Sequence, residues 1–306
     1  MSLTRNLINW LAGRRAFTRA LAGTGMRLGF ARRFIAGETL EDALEAAAEL
    51  NARGLLVIMN RLGENIRDRH DAEAFYRSYS EILHRLVERK IDGTITIKPT
   101  QLGLELDYEL CKTLTMRLVE EAESLGSFVE IDMEHSSATE ATVALYEHVR
   151  ARHEHVGLAV QSYLFRTESD LERVRRWKPK IRLVKGAYLE PHDIAFAEKG
   201  DVDRNYSKLM RILFDGDFFP AIGTHDEAML DEAKALAKEH GRGPQDWEVQ
   251  MLLGIRRDLQ ESLAREGYRM RVYVTFGTEW VPYFMRRLAE RPANVGFVLK
   301  GLLRGR

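Results

Sequence analysis

The sequence predicts an α/β protein folded as a (β/α)8 TIM-like barrel with an N-terminal helical arm. Three observations carry that prediction. From Gly54 onward, short β-branched or apolar runs alternate with longer amphipathic stretches, and the alternation repeats eight times. Strands separated by helices pair in parallel, and eight such units in about 250 residues suit a closed barrel. No proline-, glycine- or serine-rich linker divides the 306 residues, so one barrel fits better than two domains.

The arm is expected over residues 1–45 and the barrel over 46–306. Residues 1–37 hold seven arginines (Arg5, Arg14, Arg15, Arg19, Arg27, Arg32 and Arg33) and no acid before Glu38. Apolar residues such as Trp10, Phe17, Phe30 and Ile35 are interleaved with them. Such a basic amphipathic stretch suits either an anionic membrane surface or a pair of short helices packed on the main domain.

The strands are expected at "GLLVIMN" (54–60), "GTITIKP" (93–99), "SFVEIDM" (127–133) and "HVGLAVQ" (155–161). They continue at "KIRLVKG" (180–186), "FFPAIGT" (218–224), "WEVQMLL" (247–253) and "MRVYVTF" (270–276). Between them, segments such as "DAEAFYRSYSEILHRLVERK" and "DEAMLDEAKALAKEH" repeat apolar residues at three- and four-residue steps. A doubly wound open sheet would want a glycine-rich turn after its first strand, and "MNRLGENI" offers only Gly63. The last element, "TEWVPYFMRRLAERPAN" (278–294), reads as a helix with Tyr283, Arg286, Arg287 and Glu290 on one face. A solvated stripe explains that face at about 0.3–0.5 kcal/mol per ion pair. A carboxylate clamp explains it as well, because guanidinium forks match a planar anion.

Composition narrows the function classes. Lys+Arg and Asp+Glu are both 46, so nothing points to nucleic acid as a partner. The single cysteine, Cys111, excludes an intramolecular disulfide and a cysteine-rich metal site. No run of 18 apolar residues appears, and a cytoplasmic protein is expected. In a barrel, functional side chains stand at the carboxyl ends of strands. Lys98 ends the second expected strand, Asp132 the third and Gln161 the fourth; Arg182 and Lys185 lie in the fifth, "GTHDE" follows the sixth, and Tyr273 lies in the eighth. Each has a structural explanation: a Lys98–Asp132 ion pair, a Gln161 that satisfies loop backbone, an Arg182 that reaches the outer rim. Together, so many polar groups at one mouth are costly unless a ligand or their neighbours satisfy them, and the number of them favours a site. His225 lacks a second metal ligand at suitable spacing, so no metal is expected. Arg182, Lys185, Thr224 and His225 would instead offer donors to an anionic, phosphate-bearing cofactor.

The stretches "ITIKPTQLG", "VEIDMEHS", "AVQSYLFRT", "IRLVKGAY", "GTHDE" and "YFMRRLAERPAN" occur in the order found in proline dehydrogenase, which the chain resembles from the first strand to residue 297. The resemblance is to a small monofunctional bacterial member, without the aldehyde dehydrogenase domain of bifunctional relatives. It implies a (β/α)8 enzyme that uses FAD to oxidise L-proline to Δ1-pyrroline-5-carboxylate and passes electrons to a quinone. By the same resemblance, Arg286 and Arg287 would clamp the substrate carboxylate, with Lys98 as a further cation. Tyr273, Tyr283 and Leu252 would pack the pyrrolidine ring, and Glu290 would hold the arginine face. Asp132 would orient Lys98 or its neighbours, and Arg182 would approach the flavin near N5. Met133, Gln161, Lys185, Gly186, Ala187, Tyr188, Thr224 and His225 would line the FAD. Two positions depart from the family pattern: Leu189 stands where some relatives have tryptophan, and Asp226 where others have asparagine. The arginine-rich arm would then bring the enzyme to the inner face of the cell membrane. The competing readings are another FAD barrel oxidoreductase of the methylenetetrahydrofolate reductase type, and a non-catalytic ligand-binding barrel.

Overall fold

A computed structural model describes residues 31–63 and 66–290, with side chains as far as residue 285. Eight parallel strands close into one barrel in chain order: β1 (Leu56–Arg61), β2 (Gly93–Ile97), β3 (Val129–Ile131), β4 (Val156–Gln161), β5 (Lys180–Val184), β6 (Phe219–Gly223), β7 (Glu248–Leu252) and β8 (Arg269–Phe276). Closure is made where β1 pairs with β8, with Ile58 opposite Tyr273 and Asn60 opposite Thr275. All eight expected strands are present, each shorter at one or both ends except β8, which starts one residue earlier.

The helices are α1 (Leu40–Asn51), α2 (Arg69–Glu88), α3 (Tyr108–Ser124), α4 (Ser136–Arg150), α5 (Thr167–Val174), α6 (Lys199–Asp215), α7 (Glu227–Glu239), α8 (Arg257–Arg265) and α9 (Trp280–Glu290). Several begin on side-chain caps that the sequence supplies: Thr39 and Asp42 form a reciprocal capping box on α1, and Asp68, Asp107 and Asp226 cap α2, α3 and α7. Cys111 lies on the buried face of α3, where burial pushes its thiol up to about 12. It is a core residue.

The strands alternate strictly. Val57, Ile95, Val129, Ile131, Ile181, Leu183, Val249, Met251, Val272 and Val274 are buried under the helices. The residues between them point inward, and they are unusually polar: Thr94, Thr96, Glu130, Arg182, Glu248, Gln250 and Arg271 are all buried. Arg182 bonds to groups on β2 and β7 as well as to Asp132, and those strands are not its neighbours, so it reaches them through the barrel interior. Its register neighbours are Ala159 on β4 and Ala221 on β6, whose short side chains leave the width that a guanidinium needs.

The expected boundary at 45/46 falls inside α1, which packs between β8 and β1 as an outer helix of the barrel. That placement leaves α9 free to sit at the mouth. There Trp280, Val281, Tyr283, Phe284 and Met285 form a second apolar cluster with Ala31, Phe34, Ile35, Leu62 and Ile255. The backbone ties residues 34–37 to the end of β8: Ala36 N–H donates to Thr275 O at 2.9 Å, and Gly277 N–H to Gly37 O at 3.0 Å. Residues 1–30 of the expected arm lie outside the described residues.

Candidate active site

Strand ends bring most of the expected residues to one end of the barrel. Arg182, from β5, is 4% exposed. Its Nη2 donates to Asp132 Oδ1 and to Thr96 Oγ1 (3.2 Å), and its Nη1 donates to Gln250 Oε1 (3.3 Å). The rim placement of Arg182 is therefore overturned; the guanidinium points inward because it finds its acceptors there. Tyr273 donates its hydroxyl to the other Asp132 oxygen, Oδ2, at 2.8 Å, and its ring lies 5.4 Å from the Arg182 guanidinium carbon. Burial holds the Tyr273 phenol far above its ordinary range, so it remains an O–H donor. Asp132 thus orients Arg182 and Tyr273.

Lys98 is buried at the end of β2, and its charge acts on Glu134. Glu134 accepts from Thr100 N at 3.0 Å and Thr100 Oγ1 at 2.7 Å. Burial raises its carboxyl, against the opposing pull of Lys98 and Thr100. The sequence reading missed Glu134, although it stands two residues beyond Asp132 in "VEIDMEHS".

A second group of expected residues follows β4, β5 and β6, three consecutive strands. Gln161 donates from Nε2 to Met133 O at 3.1 Å, while its buried Oε1 has no hydrogen-bond donor among the described residues. An acceptor left over in a buried site is what an incoming N–H or O–H would satisfy. Lys185 donates to Asp203 Oδ1 at 2.6 Å and lies 3.6 Å from Asp226. Gly186 has φ +108°, and a Cβ there would strike the Tyr163 ring at 2.4 Å, so the turn requires glycine. Ala187 is exposed, and the half-buried Tyr188 stacks edge-on against His135 with ring centres 6.2 Å apart. Thr224 Oγ1 accepts from Asp226 N at 3.2 Å. The His225 Nε2 accepts from Leu252 N–H at 2.9 Å, which fixes the ring proton on Nδ1. Of the two family departures, Leu189 is two-thirds exposed, and Asp226 caps α7 through Ala228 N.

Leu252 packs against the apolar cluster at the mouth that contains Tyr283. Arg286, Arg287 and Glu290 belong to α9, but their side chains lie outside the described residues. Among the described residues, metal-type ligands gather only at Asp68, His70 and Asp71. There Asp68 accepts from Asp71 N, and Asp71 from Arg67 N, as helix-start caps.

Sequence reasoning also missed the layer beneath the site. Glu248 receives Arg271 Nε (3.1 Å), Lys180 Nζ (2.6 Å) and Gln250 Nε2 (2.7 Å), and Lys180 also reaches Glu130 at 2.7 Å. The signal was present in "VEIDM", "KIRLV" and "EVQML": pairs of charged or amide residues two places apart in otherwise apolar strands.

The sequence profile of the family described as proline dehydrogenase matches residues 43–300. The chain is 37% identical to "Proline dehydrogenase 1" of Bacillus subtilis over 302 residues, covering 99% of this chain and 100% of that one. It is 38% identical to "Proline dehydrogenase" of Deinococcus radiodurans over 284 residues, covering 90% of each. In structure it is similar to proline utilization A (PutA) from Bdellovibrio bacteriovorus, inactivated by N-propargylglycine, with a TM-score of 0.81 at 21% identity. That match spans 88% of this chain and 33% of the much longer PutA, and it bears on the fold alone. With the profile covering most of the chain and the relatives matched over nearly their full lengths, this chain belongs to the proline dehydrogenase family.

Proposed function

We propose that this protein oxidises L-proline to Δ1-pyrroline-5-carboxylate by transferring a hydride to bound FAD, the first step of proline catabolism, and that a quinone takes the electrons onward. The observation that carries the reading is the Asp132–Arg182–Tyr273 constellation, a buried guanidinium between two half-buried partners, at the mouth of a barrel of this family.

The residues present suit a flavin. The unused Gln161 Oε1 is an acceptor for a ring N–H, and the glycine turn at Gly186 lets backbone come close to a ligand. Lys185, Thr224 and His225 stand on the two neighbouring loops, where ribityl oxygens or phosphates would find donors. Met133, Ala187 and Tyr188 would complete the lining. Bound FAD supplies the two-electron acceptor; the chain's own residues do the rest.

Arg286 and Arg287 would hold the proline carboxylate by charge-assisted hydrogen bonds, with Lys98 adding positive charge and Glu290 bracing the arginine pair. Tyr273, Leu252 and Tyr283 would enclose the pyrrolidine ring. Fixing the carboxylate at one end of a small rigid ring places the carbon beside nitrogen for hydride transfer, and so supplies the positioning. Arg182 would favour the build-up of negative charge on the acceptor, and Asp132 would keep both Arg182 and Tyr273 in place.

The test is an anaerobic visible spectrum of the purified protein before and after L-proline. Oxidised-flavin absorbance that bleaches with proline and not with NADH is the expected result. Bleaching by NADH would favour the methylenetetrahydrofolate reductase type instead, and a protein that takes up no flavin would favour a non-catalytic barrel.

A further inference from the structure

Arg182 is held from across the barrel as well as by Asp132. Gln250 stands on β7, two residues beyond Glu248 toward the carboxyl end of the strand, and its amide orientation is dictated by its surroundings. Its Nε2 faces Glu130 Oε1 (3.0 Å), Glu130 Oε2 (3.2 Å) and Glu248 Oε1 (2.7 Å). Three carboxylate oxygens can accept only from the NH2 end, so the carbonyl end must turn away from them, where it receives Arg182 Nη1 at 3.3 Å. Glu130 Oε2 itself lies 3.5 Å from the same Nη1. Nη1 of Arg182 therefore has two competing acceptors, one neutral and near, one charged and slightly farther.

We propose that Gln250 and Glu130 are positioning residues for Arg182: Gln250 keeps the guanidinium raised against Asp132 at the mouth, and Glu130 offsets part of its charge. The inference rests on the flavin reading above, because the quantity being set is the positive potential that Arg182 presents to the hydride acceptor. With Gln250 gone, the nearest remaining acceptor for Nη1 is Glu130, and the guanidinium is drawn down the barrel, away from Asp132. With Glu130 neutralised, Arg182 stays in place and its charge is less compensated.

The two residues therefore act in opposite directions, and that is the test. In full-length protein loaded with FAD, Gln250→Met should lower the midpoint potential of the flavin. It should also slow flavin reduction by L-proline by about tenfold, the usual effect of one lost hydrogen bond to a charged group. The KM for proline should move much less. Glu130→Gln, which removes the charge but keeps the shape and one acceptor oxygen for Lys180, should raise the potential. A general loosening of the barrel would move both variants the same way. Shifts of the same sign, or unchanged potentials in variants that bind FAD at wild-type stoichiometry, overturn the inference. If Gln250→Met does not fold, Glu130→Gln alone decides: a rise supports the inference, and no change or a fall overturns it. A wild type that binds no flavin, or is not bleached by proline, fails separately: it removes the functional reading and this inference with it.

Discussion

The lower half of the barrel and its mouth are both lined with charge, yet they are built differently. Below, Lys180 and Arg271 converge on Glu248, Lys180 also meets Glu130, and Arg271 Nη1 donates to Val57 O at 2.9 Å. The charged groups and backbone satisfy one another there, and the inward Thr94 hydroxyl, a neutral group, is left without a partner among the described residues. At the mouth, Gln161 Oε1 has no donor among the described residues, and Asp132 is shared between an arginine and a tyrosine. Buried charge by itself is weak grounds for a site. Unspent hydrogen-bonding capacity beside it is stronger.

The comparison breaks most clearly at Glu248. Burial alone would raise its carboxyl, but Arg271 and Lys180 overturn that and hold it far below the ordinary range. Replacing it with alanine leaves the buried Arg271 and the half-buried Lys180 without their shared partner and should cost about 3–5 kcal/mol of folding stability, read from urea unfolding at pH 7. The sign of the pH effect follows. Because the folded pKa lies below the unfolded value of 4.5, Glu248 stabilises the fold above that pH. The contribution fades as pH falls through the folded value. The wild-type protein should lose stability steeply in acid, and Glu248→Ala should show a flatter acid limb. A variant as stable as the wild type at neutral pH would mean the lower layer is not structural.

At the mouth the expected effects are on binding. Arg286→Met or Arg287→Met should each raise the KM for proline by the equivalent of about 1.5–3 kcal/mol, with FAD retained and folding stability little changed. A normal KM in both variants would remove the clamp.

Gln161→Met is a smaller and sharper probe. It removes the unsatisfied oxygen together with one bond to Met133 O, so FAD affinity should weaken by about 0.5–1.5 kcal/mol while the flavin-free protein unfolds near its usual temperature. Equal losses in both would place Gln161 with the structural layer.

The smallest effect concerns the arginine-rich arm. Phe34 and Ile35 are buried against the α9 cluster, so truncation has to stop at residue 30. Removing residues 1–30 should leave flavin reduction by proline unchanged and reduce co-sedimentation with anionic liposomes. Unchanged sedimentation would remove the membrane role proposed for the arm.

Much of the site was legible because a strand's carboxyl end is a fixed place in a barrel: Lys98, Asp132, Gln161 and Lys185 stand where the alternation of elements puts them. Glu130, Lys180, Glu248, Gln250 and Arg271 were not recognised, because period-two alternation separates two faces without saying which one meets solvent. A charged face reads as exposed until the sheet closes on it.

The sequence by itself determined the eight β/α units, their parallel order, several helix caps and the line of polar groups at the strand ends. These follow from local periodicity and from the short reach of caps and turns. Only the tertiary structure decided that α1 fills the outer gap between β8 and β1, leaving α9 to the mouth. It alone decided that Asp132 joins Arg182 to Tyr273, and that Gln250 turns its carbonyl toward Arg182. Those partners stand 50 to 141 residues apart in the chain. Barrel closure brings them together, and the desolvation of their charges forces each to find whichever partner geometry places in reach.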